Sequence, residues 1–447
     1  MSYPNTQFKQ GDLVAKVPEL LCPAGSPEKL RYALAFGADA VYAGIPRFSL
    51  RAKENPYNNR SLKEDIEYCH RVGKKIYVTA NILPQNRKLQ SFKSSIATIA
   101  EAGPDGIIMS DPGMIQYVRK EFPELPIHLS VQTNTINWMS VAFWRDYGVK
   151  RIILSRELSM QELKEIHTQV PDIGLESFVH GSICIAYSGR CLLSNYFNHR
   201  DANQGTCTNS CRWEYNVKEE LPEGEKATQS PQGEYLIEEK GRDGDLMPIE
   251  EDEHGTYIMN SKDLRAIEHL DELWRAGVES FKIEGRTKSI YYLSLITKSY
   301  RRAIDDIVAN KPFDPKLLRE TEKTANRGFT TAFLLSASEK ATERFNSPQE
   351  DNLPQIYAGK IVNERAGGWV EVDVKNRIEI GHEIEYISPQ NKYRFQISAM
   401  ENESGLALRV AHGGNGTVWI KTEGQIDPFA LLSRVINTPV PSLILKD

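Results

Sequence analysis

Four of the six cysteines lie close together, in a spacing that could hold a metal centre. Cys184, Cys191, Cys207 and Cys211 follow the pattern C-x6-C-x15-C-x3-C. Four thiolates can bind either a structural zinc ion or an iron–sulfur cluster. Zinc ribbons usually place about two to four residues between paired cysteines, and only the second pair here is that tight. The spacing therefore leaves both metals open, while the polar, Gly- and Asn-containing stretch argues against buried free cysteines.

The two remaining cysteines stand apart from this segment. Cys69 falls in a helical pattern, which favours a place in the hydrophobic core. Cys22 ends the first predicted strand and could face the mouth of a barrel, so we keep it as an outside candidate for the metal site.

The elements that must position these cysteines form a repeated strand–helix pattern from Glu19 to about Asn310. The predicted strands are Glu19–Cys22, Asp39–Ala43, Lys75–Asn81, Asp105–Ser110, Ile127–Val131, Lys150–Ser155, Gly174–Val179 and Glu279–Glu284. Such units predict a parallel sheet, and eight of them fit a closed (β/α) barrel of ~250 residues. A ninth run, Thr256–Asn260, is assigned to an insertion or an extra element. An open, doubly wound sheet is the alternative.

Two helices are well marked by their residues. Pro27–Phe36 begins after Ser26, a good N-cap, with proline at the first helical position. Tyr292–Ile307 carries apolar residues at the helical period. Glycine follows several of the predicted helices and suits the left-handed position there, at Gly37, Gly103, Gly148 and Gly277.

Polar residues stand at the ends of most predicted strands, where a barrel enzyme carries out its chemistry. His180, Lys282 and Glu284 are the candidate catalytic groups, with His180 as a proton donor or as a satisfied buried histidine. The candidate substrate-binding residues are Arg47, Asn81, Gln132, Arg156, Arg190 and Arg286. The arginines could converge on a carboxylate or an RNA phosphate, or pair with Glu157 and Glu284 instead. His128, inside a strand, is assigned to the core.

The chain divides into two predicted domains. A TIM-like (β/α) barrel occupies residues 1–345 and includes an insertion at 214–253 with 14 acidic and 4 basic residues, which indicates a mobile, solvated segment. After a linker at Ser347–Pro354 the apolar period changes to two, as at Val370, Val372 and Val374. This period predicts a small antiparallel β domain, barrel-like in shape, over residues 355–447.

Composition limits the functions that need to be considered. The net charge of −5 argues against bulk electrostatic binding of RNA but leaves room for a local basic patch. The sequence contains no GxGxxG or Walker phosphate loop, no HExxH helix and no GxSxG elbow. No apolar stretch approaches the length of a membrane span, and Met1–Val17 lacks the apolar run of a secretory signal, so we expect a cytoplasmic protein without disulfides.

Several segments of the chain match the sequence pattern of one known protein family. The central match is Glu176-Ser-Phe-Val-His-Gly-Ser-Ile-Cys184, followed by Ser188-Gly-Arg-Cys191 and Leu193-Ser194. Further matching segments are Pro23-Ala-Gly25, Gly37-Ala-Asp-Ala-Val-Tyr-Ala-Gly44, Ser110-Asp-Pro-Gly113, His128-Leu-Ser-Val-Gln132, Ile153-Leu-Ser-Arg-Glu157, Met259-Asn-Ser-Lys-Asp-Leu264 and Lys282-Ile-Glu-Gly-Arg286. The stretch Asn203-Gln-Gly-Thr-Cys-Thr-Asn-Ser-Cys-Arg-Trp-Glu-Tyr215 is most similar to members that modify tRNA. On these segments the chain resembles the collagenase-like bacterial peptidase family, whose catalytic type is unknown, and the resemblance covers nearly the whole chain.

The resemblance implies a function in RNA modification. Similar members take part in hydroxylation of the tRNA wobble uridine to 5-hydroxyuridine, and relatives act on ribosomal RNA or ubiquinone precursors. It implies a [4Fe–4S] cluster on the four cysteines, prephenate as a co-substrate that the arginines could bind, and tRNA and the iron–sulfur assembly machinery as partners. The target uridine would be extruded into the barrel mouth, and the β domain would help to hold the RNA.

Three other functions remain open at this stage. The first is a peptidase, as the family name suggests, although no nucleophile–base pair is recognisable. The second is a zinc-stabilised RNA-binding module without chemistry. The third keeps the iron–sulfur cluster but hydroxylates a quinone precursor.

Overall fold

A computed structural model describes most of the chain. The described residues are 17–50, 56–184, 187, 190–191, 193–194, 202–204, 207, 235–238, 246–252, 255–257, 262–326, 328–335, 353–414, 416–422, 424 and 426–436.

Eight parallel strands close into a barrel. They are β1 (Glu19–Pro23), β2 (Ala40–Gly44), β3 (Lys75–Ala80), β4 (Gly106–Met109), β5 (Ile127–Leu129), β6 (Arg151–Ile153), β7 (Gly174–Ser182) and, after four further strands, β12 (Val278–Ile283). Each strand pairs with the next, and β12 pairs in parallel with both β1 and β7. This closure confirms the predicted TIM-like barrel and excludes the open sheet.

Nine α-helices are described, and those that follow β1 to β6 connect successive strands. They are α1 (Pro27–Ala35), α2 (Asn59–Arg71), α3 (Leu89–Ala102), α4 (Pro112–Glu121), α5 (Trp138–Asp146), α6 (Met160–Gln169), α7 (Leu270–Arg275), α8 (Ile290–Val308) and α9 (Lys316–Glu322). The Ser26 hydroxyl accepts a hydrogen bond from the Lys29 amide and caps α1 as predicted. The four glycines expected in the left-handed region have φ between +70° and +110°.

Between β7 and β12 the chain makes an excursion with its own strands. β8 (Tyr235–Glu238), β9 (Leu246–Asp252) and β10 (Gly255–Tyr257) form an antiparallel sheet separate from the barrel. Two of these strands, β8 and β9, lie in the acidic segment that was predicted to be mobile and solvated. β10 overlaps the ninth strand-like run. β11 (Asp263–Arg265) then lies antiparallel beside the end of β7, and β13 (Phe329–Thr330) pairs with β11.

The barrel strands alternate between two apolar layers, because successive side chains of a strand point to opposite faces. Leu20 of β1 packs in the helix-facing core, and Leu21 packs inside the barrel. Cys22 also faces the helices: it is fully buried, and its Sγ lies 3.3 Å from Oγ1 of Thr297 on α8. The idea that Cys22 could face the barrel mouth was therefore wrong. Cys69 is buried in the same core, as predicted.

The C-terminal region is an antiparallel β domain. Its strands are β14 (Gln355–Arg365), β15 (Trp369–Val374), β16 (Ile378–Glu379), β17 (Glu383–Ile387), β18 (Lys392–Gln396), β19 (Met400–Glu401), β20 (Val410–Ala411), β21 (Thr417–Lys421) and β22 (Leu431–Val435). Seven of them form one sheet in the order β18-β17-β22-β14-β15-β21-β19, and β16 pairs with β20. The alternating valines of β15 are buried, which explains the period of two in the sequence.

The β domain packs against the outside of the barrel through both apolar and charged contacts. The Tyr291 hydroxyl of α8 donates to Gln355 Oε1, and Lys323 donates to both carboxylate oxygens of Glu385 at 3.0 and 2.8 Å. A small apolar cluster spans the junction and consists of Tyr32, Phe36, Tyr291, Leu295, Ile387 and Leu431. Burial of this cluster favours a fixed arrangement of the two domains.

Candidate active site at the barrel mouth

Cationic side chains gather around two aromatic rings at the carboxyl end of the barrel. The Arg156 guanidinium lies 3.7 Å from the centre of the Phe178 ring. Lys282 Nζ lies 4.4 Å from the centre of the Tyr42 ring and 5.5 Å from that of Phe178. The Arg286 guanidinium is 5.9 Å from the same Tyr42 ring. Three of the predicted site residues therefore share one aromatic-lined region, where cations are stabilised by the ring faces.

Arg286 is also held in place by the neighbouring strands. Its Nη1 donates to Oγ1 of Thr79 at 3.3 Å, and its Nη2 donates to the Leu50 carbonyl. A Cβ atom at Gly44 would lie 2.9 Å from Arg286 Nη1, so the absence of a side chain at Gly44 leaves room for the guanidinium. The guanidinium is thus fixed across the ends of β2 and β3.

Lys282 is buried, and Glu176 is its partner. Lys282 Nζ donates to Glu176 Oε1 at 2.7 Å, and both side chains are almost completely shielded from solvent. Burial lowers the pKa of Lys282, although the charge of Glu176 opposes this. Glu176 also accepts from Arg151 at 3.3 Å and from the Ser280 hydroxyl at 3.2 Å. These contacts make an ion network inside the barrel. Arg156 and Arg286 lie above this network, nearer the carboxyl ends of the strands.

Glu284, the third predicted catalytic group, lies beside Tyr42. The Tyr42 hydroxyl is 2.9 Å from the Ile283 carbonyl oxygen and 3.2 Å from Glu284 Oε2. Burial and the Glu284 charge raise the pKa of Tyr42, so the phenol stays protonated and can donate. The carboxylate therefore lies close to the group of cations.

Asn81 and Gln132, two predicted substrate-binding residues, belong to one buried polar network. Asn81 Nδ2 lies 3.3 Å from the Ser130 hydroxyl, and Gln132 Oε1 accepts from the hydroxyls of Ser110 and Ser130 at 2.9 and 3.2 Å. The network joins the ends of β3, β4 and β5, next to the arginines.

Two contacts tie the cysteine-bearing segments to this end of the barrel. Arg190, which precedes Cys191, donates its Nε to the Gln132 carbonyl at 3.1 Å. Gln204, three residues before Cys207, donates to the Leu83 carbonyl at 2.5 Å and accepts from Lys88. The described cysteines of this segment, Cys184, Cys191 and Cys207, therefore lie near the barrel mouth, where their position after the seventh strand predicts them.

The three described cysteines of the segment differ from the two core cysteines. Cys184 is exposed, and Cys191 and Cys207 are half-buried. The Ser194 hydroxyl lies 3.6 Å from Cys207 Sγ. In contrast, burial raises the pKa of Cys22 to about 12. Accessible thiols at a polar mouth are suitable donors for a metal centre, and buried, protonated thiols are not.

The fourth predicted ligand, Cys211, lies outside the described residues. Within the described ranges, no group of three or more His, Cys, Asp or Glu side chains is arranged to hold a metal ion. The donor types and their place at the mouth suit a thiolate-bound cluster, and the four-cysteine ligand set stays a prediction.

The His180 side chain lies apart from these groups. His180 is 1% exposed, and its Nδ1 lies 3.2 Å from the Tyr300 hydroxyl, with the rings of Tyr292 and Phe329 beside it. Burial lowers the pKa of His180 to about 3. Such an imidazole is neutral at physiological pH, which favours packing over proton donation. Arg47 is exposed, with a left-handed φ of +66°.

Sequence reasoning missed several residues of this site. Tyr42 and Phe178 look like ordinary core aromatics within their strands, and Ser110 and Ser130 look like strand ends. Glu176 offered a signal, since a carboxylate inside an apolar strand needs a partner. His128 was assigned correctly to the interior: it is 5% exposed and lies against Tyr77.

The described histidines give no sign of a hydrolytic pair. None of them hydrogen-bonds to a serine or cysteine side chain in the part of the chain that is described. His70, His269 and His382 contact acidic residues instead. Hydrolysis by a serine or cysteine nucleophile needs such a base within reach, so the described residues do not support it.

A closed parallel barrel with cations, amides and accessible thiols at the carboxyl ends of its strands defines a TIM-like barrel protein of the enzyme type. The model of peptidase family U32 matches residues 25–344, and that of the family's C-terminal domain matches residues 354–433. The chain belongs to peptidase family U32, which confirms the resemblance. Among the described residues, no helix is both long and apolar enough to cross a membrane.

Relatives extend over nearly the whole chain. The tRNA hydroxylation protein P of Escherichia coli is 48% identical over 437 residues, which cover 93% of this chain and 96% of that protein. The tRNA hydroxylation protein P of Haemophilus influenzae is 45% identical and covers 97% of this chain and 98% of its own. A 23S rRNA 5-hydroxycytidine synthase of Escherichia coli is 30% identical and covers 88% of this chain and 56% of its own.

Proposed function

We propose that this chain takes part in hydroxylating the wobble uridine of tRNA to 5-hydroxyuridine. The observation that carries the proposal is the similarity, over more than nine-tenths of both chains, to the tRNA hydroxylation proteins of two bacteria. The relative named for 5-hydroxycytidine in ribosomal RNA adds support, because its name also describes a hydroxyl group at position 5 of a pyrimidine. The substrate would be a tRNA in the cytoplasm.

Cys184, Cys191, Cys207 and Cys211 would hold a [4Fe–4S] cluster, supplied by the iron–sulfur assembly machinery. When bound, a cluster with all four irons ligated by protein supplies electron transfer. The accessibility of the three described thiols and their tethering to the mouth by Arg190 and Gln204 support this assignment.

The cations at the mouth would bind an anion during the reaction. Glu176 neutralises Lys282, whereas Arg156 and Arg286 lie nearer the carboxyl ends of the strands. Guanidinium groups bind carboxylates and phosphates in a paired geometry. We assign the guanidinium groups of Arg156 and Arg286 to two anions. One is prephenate, a dicarboxylate co-substrate, and the other is the RNA phosphate next to the target base.

The target base would leave its stack and enter the mouth, since chemistry on a base requires access to its ring. Asn81, Gln132 and Glu284 then offer hydrogen-bonding groups at the ends of three strands. The β domain, which is packed against α8 and joined to α9 by the Lys323–Glu385 pair, would present a fixed second surface to the tRNA.

The test combines metal analysis with nucleoside analysis. We expect anaerobically purified protein to be brown, with about four irons per chain, and Cys191→Ala to lose them. In a bacterial host without its own tRNA hydroxylation protein, the chain should restore 5-hydroxyuridine, and Cys191→Ala should not. Cys69→Ala, which removes a core thiol away from the mouth, is the matched control and should keep both properties once folding is verified.

Other outcomes separate the parts of the proposal. Colourless protein with about one zinc per chain would remove the cluster and leave an RNA-binding or hydrolytic protein. A host that still lacks 5-hydroxyuridine despite soluble, iron-loaded protein would overturn the function itself. Degradation of gelatin that depends on one residue would establish the peptidase instead.

A further inference from the structure

Gln132 carries a buried amide whose nitrogen has no hydrogen-bond partner among the described residues. The side chain is 2% exposed and lies at the carboxyl end of the barrel, just after β5. A buried donor left without an acceptor costs free energy, so an unpaired one at a site indicates a missing ligand atom. The direction of the amide decides which kind of atom that is.

A chain of hydrogen bonds fixes this direction, beginning at a donor that cannot be reversed. The backbone amide of Leu50 donates to Asn81 Oδ1 at 3.1 Å, so Asn81 must present its nitrogen on the other side. That nitrogen, Nδ2, donates to the Ser130 hydroxyl at 3.3 Å. The hydrogen of Ser130 is then free to reach Gln132 Oε1 at 3.2 Å.

The reversed amide fits this network less well. Gln132 Oε1 also lies 2.9 Å from the Ser110 hydroxyl, which can donate its one hydrogen either to this oxygen or to the Asn81 carbonyl oxygen at 3.2 Å, so the Ser130 hydroxyl decides the direction. With nitrogen in that place, the Ser130 hydroxyl hydrogen would lose its only acceptor within the described part of the chain. The network therefore presents the Gln132 nitrogen as a donor, and the ligand atom must be an acceptor.

The position of Gln132 connects this donor to the cysteines. Its backbone carbonyl accepts from Arg190 Nε at 3.1 Å, one residue before Cys191. The backbone of Gln132 is thus in direct contact with the residue that precedes Cys191.

We propose that the Gln132 amide binds the C4 carbonyl of a uracil base and so selects uracil over cytosine. Uracil has an acceptor at C4, where cytosine has an amino group that only donates. With cytosine in the site, its amino group and the Gln132 amide would be two donors facing each other, and neither would be hydrogen-bonded. Sites that leave buried polar groups unpaired in this way discriminate strongly between substrates. The inference rests on the proposed function, and it adds a residue that determines base specificity. A carboxylate oxygen is the other acceptor with the required chemistry.

The test measures base preference separately from overall RNA affinity. Full-length protein, purified anaerobically, is titrated at fixed salt with two tRNA transcripts that differ only in having U or C at the wobble position. Phosphate contacts are the same in both, so their ratio reports the base. We expect the wild type to prefer the U transcript by about tenfold or more, and Gln132→Leu to bind both equally.

Three further variants sharpen the result. Gln132→Glu presents an acceptor in place of the donor and should reverse the preference towards C, which misfolded protein could not do. Ser130→Ala frees the amide to turn and should weaken the preference without abolishing RNA binding. Gln161→Leu makes the same chemical change at an exposed position of α6 and should keep the wild-type ratio.

Each outcome decides the inference. If the wild type restores 5-hydroxyuridine in the host but binds both transcripts equally, or if Gln132→Leu keeps the preference, the inference is overturned while the proposed function stands. Succinate is added as a competing carboxylate. If the Gln132→Leu variant is insensitive to succinate but still prefers the U transcript, the amide binds a carboxylate, and the uracil assignment is overturned. Failure of the wild type to make 5-hydroxyuridine is the separate failure of the function.

Discussion

At the scale of single residues, the stability of the barrel depends on the buried ion pair of Lys282 and Glu176. Glu176 contacts two cations, Lys282 and Arg151, whereas Glu176 is the only carboxylate that bonds Lys282 among the described side chains. Removing one member of a buried pair leaves an uncompensated charge, and the cost depends on what remains beside it.

Glu176→Gln should therefore destabilise the protein more than Lys282→Met. We expect a loss of about 3–5 kcal/mol for Glu176→Gln, because buried Lys282 loses its carboxylate partner while Arg151 keeps Glu19. The loss for Lys282→Met should be smaller, because Glu176 keeps Arg151. Urea unfolding measures both. Glu64→Gln, which breaks an exposed pair with Arg60, should cost below about 1 kcal/mol. A larger loss for Lys282→Met than for Glu176→Gln would contradict this account.

His180 predicts a dependence of stability on pH. Burial, together with Arg265 and Lys288, lowers the pKa of His180 to about 3 from its ordinary 6.5. Above pH 6.5 the ring is neutral in both the folded and the unfolded chain, and its contribution to stability is complete. As the pH falls below that value, the unfolded chain binds a proton that the folded chain excludes, so stability is lost until about pH 3.

His180→Phe keeps an aromatic ring and removes this titration. Its free energy of unfolding should change less than that of the wild type between about pH 7.5 and about pH 5. His412→Gln changes an exposed histidine and should behave as the wild type does. Equal pH dependence in the wild type and His180→Phe would show that His180 protonates freely and would revive its role as a proton donor.

Part of the site could be predicted from residue types alone. The polar strand ends and the cysteine segment named Lys282, Glu284, Asn81, Gln132 and four arginines, of which Arg156, Arg190 and Arg286 have contacts at the mouth. The serines that orient Gln132 could not be predicted, because a serine after a strand is common and only the three-dimensional network gives it a role. The His180 side chain lies against Tyr300 of α8. This placement depends on a shift of register between β7 and β12, which no local sequence pattern indicates.

At the scale of elements, the end of β7 is held close to the end of β12. Gly181 has a φ of +108°, and a Cβ atom there would lie 2.5 Å from the Glu284 carbonyl oxygen. The chain therefore needs glycine at the point where it leaves the barrel towards Cys184. This position combines a backbone preference with a steric limit.

Gly181→Ala should cost about 3 kcal/mol or more, because strain and overlap with backbone act together. Gly73→Ala is a matched control: Gly73 also has a positive φ, of +70°, but its added methyl would meet nothing within 4 Å. That variant should lose only about 1 kcal/mol. Thermal unfolding compares the two, and equal losses would show that the contact with Glu284 is unimportant.

The elements differ in how well the sequence predicts them. The eight barrel strands were found because both of their faces are buried, which produces continuous apolar runs between glycine-ended helices. β8 and β9 were missed because acidic residues dominate their surroundings and mask any alternation. The double pairing of β7, with β12 and β11, also escaped prediction, since pairing between distant segments leaves no trace in a local pattern.

At the scale of the whole molecule, charged groups join the β domain to the barrel. Burial raises the pKa of Glu385, but the hydrogen bond and charge of Lys323, with help from Lys392, outweigh this and hold the pKa below its ordinary 4.5. The stabilising contribution is therefore complete above about pH 4.5 and is lost as the pH falls through the lowered value.

Glu385→Gln should flatten the acid side of the stability curve. We expect the wild type to lose more stability than the variant between about pH 6 and about pH 3, because only the wild-type carboxylate must take up a proton. Urea unfolding at each pH gives the comparison. Glu124→Gln alters an exposed carboxylate and should follow the wild type; parallel curves for all three proteins would exclude Glu385 as a source of acid sensitivity.

The antiparallel pairing of β7 and β11 has a consequence for how this family could diversify. Asp263 lies opposite Ser182, so the chain leaves the barrel sheet after Ser182 and rejoins it at Asp263, at one paired step of the two strands. The excursion is a cassette inserted into a hairpin, and its length does not affect closure of the host barrel. Evolution could exchange, lengthen or trim the cysteine-bearing cassette while the strands beneath it keep their register, and a designer could graft it in the same way.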